Sequence, residues 1–267
     1  MDVNSLFSLS GRTALITGGS RGIGKMIATG FIAQGAKVYI SSRKTDICDE
    51  VAEKLGPNCI SIPQDISTVG GCEKLANKLA DRESNLDILV NNAGAAWGEA
   101  FETFPEVGWD KVMNLNVKSI FFLTQSLHKL LKATASGKSP SKVINIASID
   151  GLRANPWETY SYQASKAAVI NLTRRVAARL IQDNILVTAI APGAFASDMN
   201  KAARDLADVV GKHIPAGRIG NEEDIAATAI YLAARSGNYV VGETITVDGG
   251  VVYAHLTDNW ESDPAGE

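Results

Sequence analysis

Cysteine and histidine are scarce in this chain, with three of each in 267 residues. Cys48, Cys59 and Cys72 are too few and too unevenly spaced for a disulfide framework, and no CxxC pair offers a zinc site. They read as reduced thiols. His128, His213 and His255 are scattered, with no ligand partner at suitable spacing, so no metal is assigned. No run of about 18 apolar residues occurs, and the first residues, MDVNSLFSLSGR, lack a basic stretch followed by a long apolar one. The expectation is a soluble, cytoplasmic protein without a membrane partner. Neither sign of charge is in excess: 26 basic against 29 acidic side chains leave a formal charge of −3. That removes the global electrostatic case for a nucleic-acid partner. No internal repeat is visible.

What is present is an ordinary globular composition, 45% apolar and 21% charged. Short apolar runs recur at 13–17, 37–41, 59–62, 86–91, 142–147, 185–191 and 244–247, as expected of strands buried on both faces. Stretches with apolar residues at three and four spacing lie between them, at 23–34, 67–80, 109–131, 159–181 and 222–234, and read as amphipathic helices. This alternation predicts an α/β chain: a doubly wound Rossmann fold with a seven-stranded parallel sheet and helices on both faces. We expect one domain over 1–267. Residues 133–141 and the tail 251–267 read as surface loops.

The first strand runs into Thr17-Gly18-Gly19-Ser20-Arg21-Gly22-Ile23-Gly24 and then into a helix. Glycine lets backbone approach a ligand closely, and the free N–H groups at a helix start attract phosphate. A tight turn without a ligand is the plainer reading of the same residues.

The spacing of Gly18, Gly22 and Gly24 resembles the TGxxxGxG of the short-chain dehydrogenase/reductase family. Further matches occur in that family's order: Asp65 after the third strand, Asn91-Asn92-Ala93-Gly94 ending the fourth, Ser148 ending the fifth, Tyr162 and Lys166 as a YxxxK pair, and Pro192-Gly193 closing the sixth. The resemblance covers roughly residues 9–250, and the ordered set is specific although each member is weak. It implies that Tyr162 gives a proton to a carbonyl oxygen during reduction and that Ser148 hydrogen-bonds the same oxygen. Lys166 would hold the nicotinamide ribose and, one helical turn from Tyr162, lower the phenol's pKa. Asn116 matches the fourth catalytic position, where the family uses the backbone carbonyl to keep a relay water; otherwise a mid-helix Asn is a packing or solvated residue.

By the same resemblance a dinucleotide would lie against Gly18, Ser20, Arg21, Gly22, Ile23 and Gly24. It would continue along Ser42 and Arg43 after the second strand, Asp65 and Ile66, Asn92, Ala93 and Gly94, and Pro192, Gly193, Phe195 and Ser197, besides Tyr162 and Lys166. NAD-specific sites place an acid about 20 residues beyond the glycine turn. Here the second strand ends Ser41-Ser42-Arg43-Lys44, and Arg21 adds a cation, which favours the 2′-phosphate of NADP(H). Asp46 competes as the acid, but beside Thr45 at a helix start it reads as a cap.

Phe195 stands where the family usually has isoleucine. The chain looks most like the 3-oxoacyl-thioester reductase branch. The Ser41-Ser42-Arg43 ending, the long loop before the fifth strand and Trp97-Gly98 after the NNAG resemble the rhamnolipid-associated type. Asp183 occupies a position where carrier-protein reductases commonly have arginine, so coenzyme A esters and free ketones stay open beside acyl carrier protein. The expected partner is therefore a ketone or acyl-thioester. Trp97, Leu152, Trp157 and Phe195 are expected to give the cleft an apolar rim. A dehydrogenase of sugar alcohols or other secondary alcohols is the alternative, and a non-catalytic NADP(H) sensor the third. Phe121, Phe122, Val169 and Leu172 widen the apolar face of two helices beyond one stripe, which predicts a homotetramer built through them.

Overall fold

The computed structural model describes residues 2–254. Its strands are β1 (Thr13–Thr17), β2 (Lys37–Ser41), β3 (Cys59–Ser61), β4 (Ile88–Asn91), β5 (Ser141–Ile146), β6 (Ile185–Pro192) and β7 (Thr244–Val247). Its helices are α1 (Val3–Phe7), α2 (Gly22–Ala33), α3 (Thr45–Leu55), α4 (Val69–Ala80), α5 (Glu106–Met113), α6 (Ser119–Lys132), α7 (Tyr160–Leu180), α8 (Lys201–Asp205), α9 (Ala207–Gly211) and α10 (Glu222–Ala233). The expected tail beyond 254, with His255, lies outside the described residues.

All seven strands pair in parallel in the order β3-β2-β1-β4-β5-β6-β7. Alternate residues of each strand feed opposite faces. Ala14 and Ile16 pack with Ile27 and Phe31 of α2, Val51 of α3 and Ile225 and Leu232 of α10; Leu15 and Leu89 pack with Leu75 of α4, Leu127 of α6 and Ala177 of α7. Both faces are apolar because parallel strands carry helices on both sides. The strand order reverses direction between β1 and β4, which opens a crevice at their carboxyl ends, where ligands of such sheets bind.

The predicted helix 109–131 is interrupted. After α5 the chain makes one π-helical turn, Asn114–Lys118, before continuing as α6. A single π turn inserts one residue into the helical ladder and re-aims the side chains beyond it. Four helices, α1, α3, α8 and α9, lie outside the predicted ones: three have only five residues, and α3 is a charged stretch whose apolar positions Cys48, Val51, Ala52 and Leu55 nevertheless recur at helical spacing. Of the four residues expected to give surplus apolar surface, Val169 is core, and Phe122 and Leu172 are partly buried against it; Phe121 remains 41% exposed. No described helix is long and apolar enough to cross a membrane.

Candidate active site

β1 delivers the glycine turn to the crevice. Helix α2 begins at Gly22 with Arg21 as N-cap and no side-chain capping bond, so its first N–H groups lack a side-chain acceptor. That cradle fits a dinucleotide pyrophosphate. The neighbouring Asn92 locks it: Asn92 Nδ2 donates to Thr17 O at 2.8 Å and Gly18 O at 3.2 Å, while Thr17 Oγ1 accepts from the N–H groups of Asn92 and Ala93, both at 3.0 Å. A Cβ on Gly24 would stand 2.4 Å from Asn92 Nδ2, so glycine is required there by the close approach of the two loops. Gly94 abuts Asn116 Oδ1. Ser20 is buried within the turn and Ile23 is half-buried.

At the tip of β2, Arg43 is exposed, makes no ion pair among the described residues, and follows the half-buried Ser42. Arg21 differs from expectation. Its Nη1 donates to Asp198 Oδ2 at 2.9 Å, so the cation is engaged by a carboxylate of the segment after β6. Asp46 is not the expected cap: Lys44 is the N-cap, with no side-chain capping bond, and Asp46 sits exposed in the first turn of α3, where a negative charge suits the helix dipole. Asp65 Oδ1 accepts from Ser67 N at 2.9 Å. The Ile66 side chain is core, which leaves its backbone as the part able to meet a ligand.

The four expected catalytic residues come together. Ser148 follows β5, is buried, and caps the short 3-10 turn Ile149–Gly151. Its hydroxyl accepts from Asp150 N at 3.2 Å and lies near enough to the Tyr162 phenol, on the first turn of α7, to lower its pKa. Lys166, one turn later, is buried; its Nζ donates to Ile146 O at 2.8 Å and stands 5.5 Å from the centre of the Tyr162 ring. Asn116 lies in the π turn. Its Nδ2 donates to Ala95 O and to Ser165 Oγ, both at 2.9 Å, and its Oδ1 accepts from Ala95 N at 2.8 Å. Ser165 in turn donates to Tyr162 O at 2.7 Å. Asn116 thus ties the loop after β4 to α7.

Burial dominates the electrostatics. It pushes the Tyr162 phenol up to about 12, against the lowering by the nearby Ser148 hydroxyl, and pulls the Lys166 ammonium down to about 8. The expected lowering of the phenol by Lys166 is not seen: the ammonium is bonded to Ile146 O and takes no part in the phenol's displacement, which burial and the Asp150 carboxylate drive upward.

After β6, Gly193 packs against Asp248, and Ser197 Oγ accepts from Asn200 N at 3.1 Å. A Cβ on Gly22 would lie 3.2 Å from Ser197 Cβ, so this segment rests on the glycine turn, beyond Pro192. Phe195, expected on the cleft rim, is instead 3% exposed, its ring laid over Gly220, where any Cβ would meet it at 2.3 Å, which leaves its backbone as the part able to meet a cofactor. Trp97 likewise packs on Gly108 beneath Lys111. Leu152 is half-buried and Trp157 exposed. Asp183 accepts from Lys132, Arg179 and His128 at 2.6, 2.9 and 3.0 Å, which holds its carboxyl well below the usual range. Among the described residues no cluster of His, Cys, Asp and Glu could hold a metal ion.

Sequence reasoning missed two parts of the site. One is the buried polar row beneath it: Asn91 Nδ2 to Asn145 Oδ1 at 2.9 Å and Asn145 Nδ2 to Thr173 Oγ1 at 2.9 Å. The other is a neighbouring cavity lined by Phe101, Phe104, Trp109, Trp157 and Tyr160, of which Trp157 alone is expected from the sequence beside a cleft; the further signal is a local density of aromatics.

The family model described as Enoyl-(Acyl carrier protein) reductase matches residues 18–252. The rhamnolipids biosynthesis 3-oxoacyl-[acyl-carrier-protein] reductase of Pseudomonas aeruginosa is 46% identical over 249 residues, covering 91% of this chain and 97% of that protein. The 2-dehydro-3-deoxy-D-gluconate 5-dehydrogenase of Dickeya dadantii is 38% identical over 254 residues, covering 91% of this chain and 96% of that protein. Among solved structures, the Pseudomonas aeruginosa RhlG/NADP active-site complex superposes with a TM-score of 0.90 at 44% identity, covering 93% of this chain and 99% of that one.

Proposed function

Because the chain belongs to the short-chain dehydrogenase/reductase family of oxidoreductases, we propose that it is an NADPH-dependent reductase of a ketone, a 3-oxoacyl thioester or a related apolar ketone. The observation that carries the reading is the convergence of Ser148, Tyr162 and Lys166 beside a glycine turn whose neighbouring strand ends in the unpaired Arg43. The NADP complex of the 44% identical structure supports the same cofactor.

NADP(H), when bound, supplies the hydride that reaches the carbonyl carbon. The glycine turn and the start of α2 would hold its pyrophosphate, Arg43 its 2′-phosphate, Asp65 its adenine end and Lys166 its nicotinamide ribose. Ser148 donates a hydrogen bond to the substrate oxygen and orients it. Tyr162, protonated at neutral pH, gives its proton to that oxygen, which completes the C–H and O–H of the alcohol; the phenolate then regains a proton from solvent. Asn116 holds the loop after β4 and the π turn in register with α7.

A dehydrogenase of sugar acids or alcohols is the second reading, supported by the name of the 38% identical relative. The aromatic lining beside the site argues against it. One assay separates the two: NADPH consumption against a panel of acyl thioesters, aryl ketones and sugars. Turnover of sugars alone would overturn the first reading, and no turnover of any carbonyl would leave a sensor.

We assign one domain to cofactor binding and catalysis, and the cytoplasm as its location, where the three buried, unpaired cysteines stay reduced. We also assign a twofold-symmetric homotetramer formed through α6 and α7, on the exposed Phe121 and on Ile181, which follows α7. Light scattering tests this: a stable species of 28.3 kDa would overturn it.

A further inference from the structure

A second concave feature opens outside the catalytic cluster. It is a cavity of about 730 Å³, within the size range of small-molecule sites, bounded by the segment Phe101–Trp109 on one side and Ala154–Gln163 on the other. Phe101 and Phe104 each meet the Tyr160 ring edge to face, at 5.6 and 5.7 Å, and Phe104 meets Trp109 at 6.5 Å. Phe101 is 72% and Trp157 69% exposed, and both border the same hollow, so their apolar surface is gathered in one place.

These rings sit on fixed backbone. Trp157 N donates to Asn155 Oδ1 at 2.8 Å, and Gln163 Nε2 donates to Asn155 Oδ1 and to Trp157 O, both at 3.2 Å. The two walls are joined by Glu99 N donating to Glu158 O at 3.1 Å. The Tyr160 hydroxyl donates to Glu158 Oε1 at 3.2 Å. Several polar groups of the lining are therefore engaged with one another, and most of what faces the cavity is apolar.

One wall of the cavity is carried by the same loop and helix as the reaction centre. The loop that carries Trp157 starts at Ser148 and ends at Tyr162, and Gln163 in the lining is the next residue after the proton donor. We propose that this aromatic cavity is the subsite for the apolar chain of the ketone substrate, with Trp157 and Phe101 as its specificity-determining residues. The assignment rests on the reductase reading above and adds the chemistry of the far end of the substrate. A saturated chain gains from aromatic walls by burial and needs no hydrogen bonds, and the lining exposes mostly apolar surface. A sugar would need them. A partner protein would meet a hollow a few side chains wide in place of the broad patch that stable association buries.

The test compares a long 3-oxoacyl thioester of twelve carbons with one of four, for the wild type, Trp157→Ala and Phe101→Ala, by NADPH consumption. The wild type should favour the long chain in kcat/KM, and each variant should reduce the long-to-short ratio by about tenfold, mainly through KM. Each variant is first read on the four-carbon thioester: where an alanine variant loses short-chain turnover through damaged folding, Trp157→Leu or Phe101→Leu replaces it, so that the ratio isolates the subsite. Light scattering is run on the same samples. A wild type indifferent to chain length, or variants with an unchanged ratio, would overturn the proposal; a lowered mass with an unchanged ratio would give the cavity to a second copy of the chain. A wild type that consumes no NADPH with either thioester would instead overturn the reductase reading.

Discussion

Lys166 Nζ donates to the carbonyl of Ile146 at 2.8 Å and stands 5.5 Å from the centre of the Tyr162 ring. The ammonium is anchored to the end of β5, so it adjoins the phenol without bonding to its oxygen. Packing around the pair holds the phenol neutral and makes the amine easier to deprotonate.

Tyr162→Phe removes the acid and keeps the ring. Turnover should fall by about two orders of magnitude or more, with NADPH affinity nearly unchanged by fluorescence titration. Turnover like the wild type would sink the assigned role.

Two opposite displacements set the pH profile. With the phenol near 12, the proton donor stays loaded through the neutral range, so reduction should be flat from about pH 6 to 7.5. Lys166 loses its charge as pH rises through about 8, and reduction should decline there. Lys166→Ala should be slow, bind cofactor weakly and show no limb near pH 8. A limb that persists in this variant would assign it to another group.

Arg43→Ala should weaken NADPH about tenfold more than NADH, for one charge-assisted contact. Asp198→Asn frees Arg21 from its carboxylate partner and should strengthen NADPH binding severalfold. Competitive titration of both cofactors checks both; equal losses for NADPH and NADH in the Arg43 variant would remove it from the 2′-phosphate.

Asn116→Ala strips partners from Ala95 N, Ala95 O and Ser165 Oγ. About 2 kcal/mol of stability should be lost, along with turnover, as the loop after β4 loosens. Urea denaturation is the measurement, and an unchanged midpoint would contradict the geometry.

Lys142, at the start of β5, is 2% exposed and its Nζ has no partner among the described residues. Burial, with repulsion from Arg12, pulls its pKa down to about 7 from 10.5. The folded state then binds fewer protons than the unfolded one between those values, so stability rises with pH across that window and the penalty is complete below it. Lys142→Met should raise Tm at pH 7 and flatten its rise towards about pH 9, with a gain on the order of 2 kcal/mol. A lower Tm at neutral pH would show that the ammonium has a partner.

The alternation of strand and helix, the parallel sheet, the glycine turn and the order Asn116, Ser148, Tyr162, Lys166 were all legible in the sequence. Each is a local pattern: apolar runs bounded by turns, glycines at fixed offsets, side chains one helical turn apart. The features that stayed hidden depend on residues far apart in the chain. The Arg21–Asp198 bond spans 177 positions, and the π turn that aims Asn116 at Ala95 and Ser165 comes from packing against the loop after β4 and α7. Phe195 turns inward because Gly220 leaves room for its ring, and the aromatic cavity exists only where two loops meet. The displaced pKa values of Tyr162 and Lys166 also belong to the tertiary structure. Residue type and spacing set which groups can share a site, whereas burial is collective and decides which of them keep their charge.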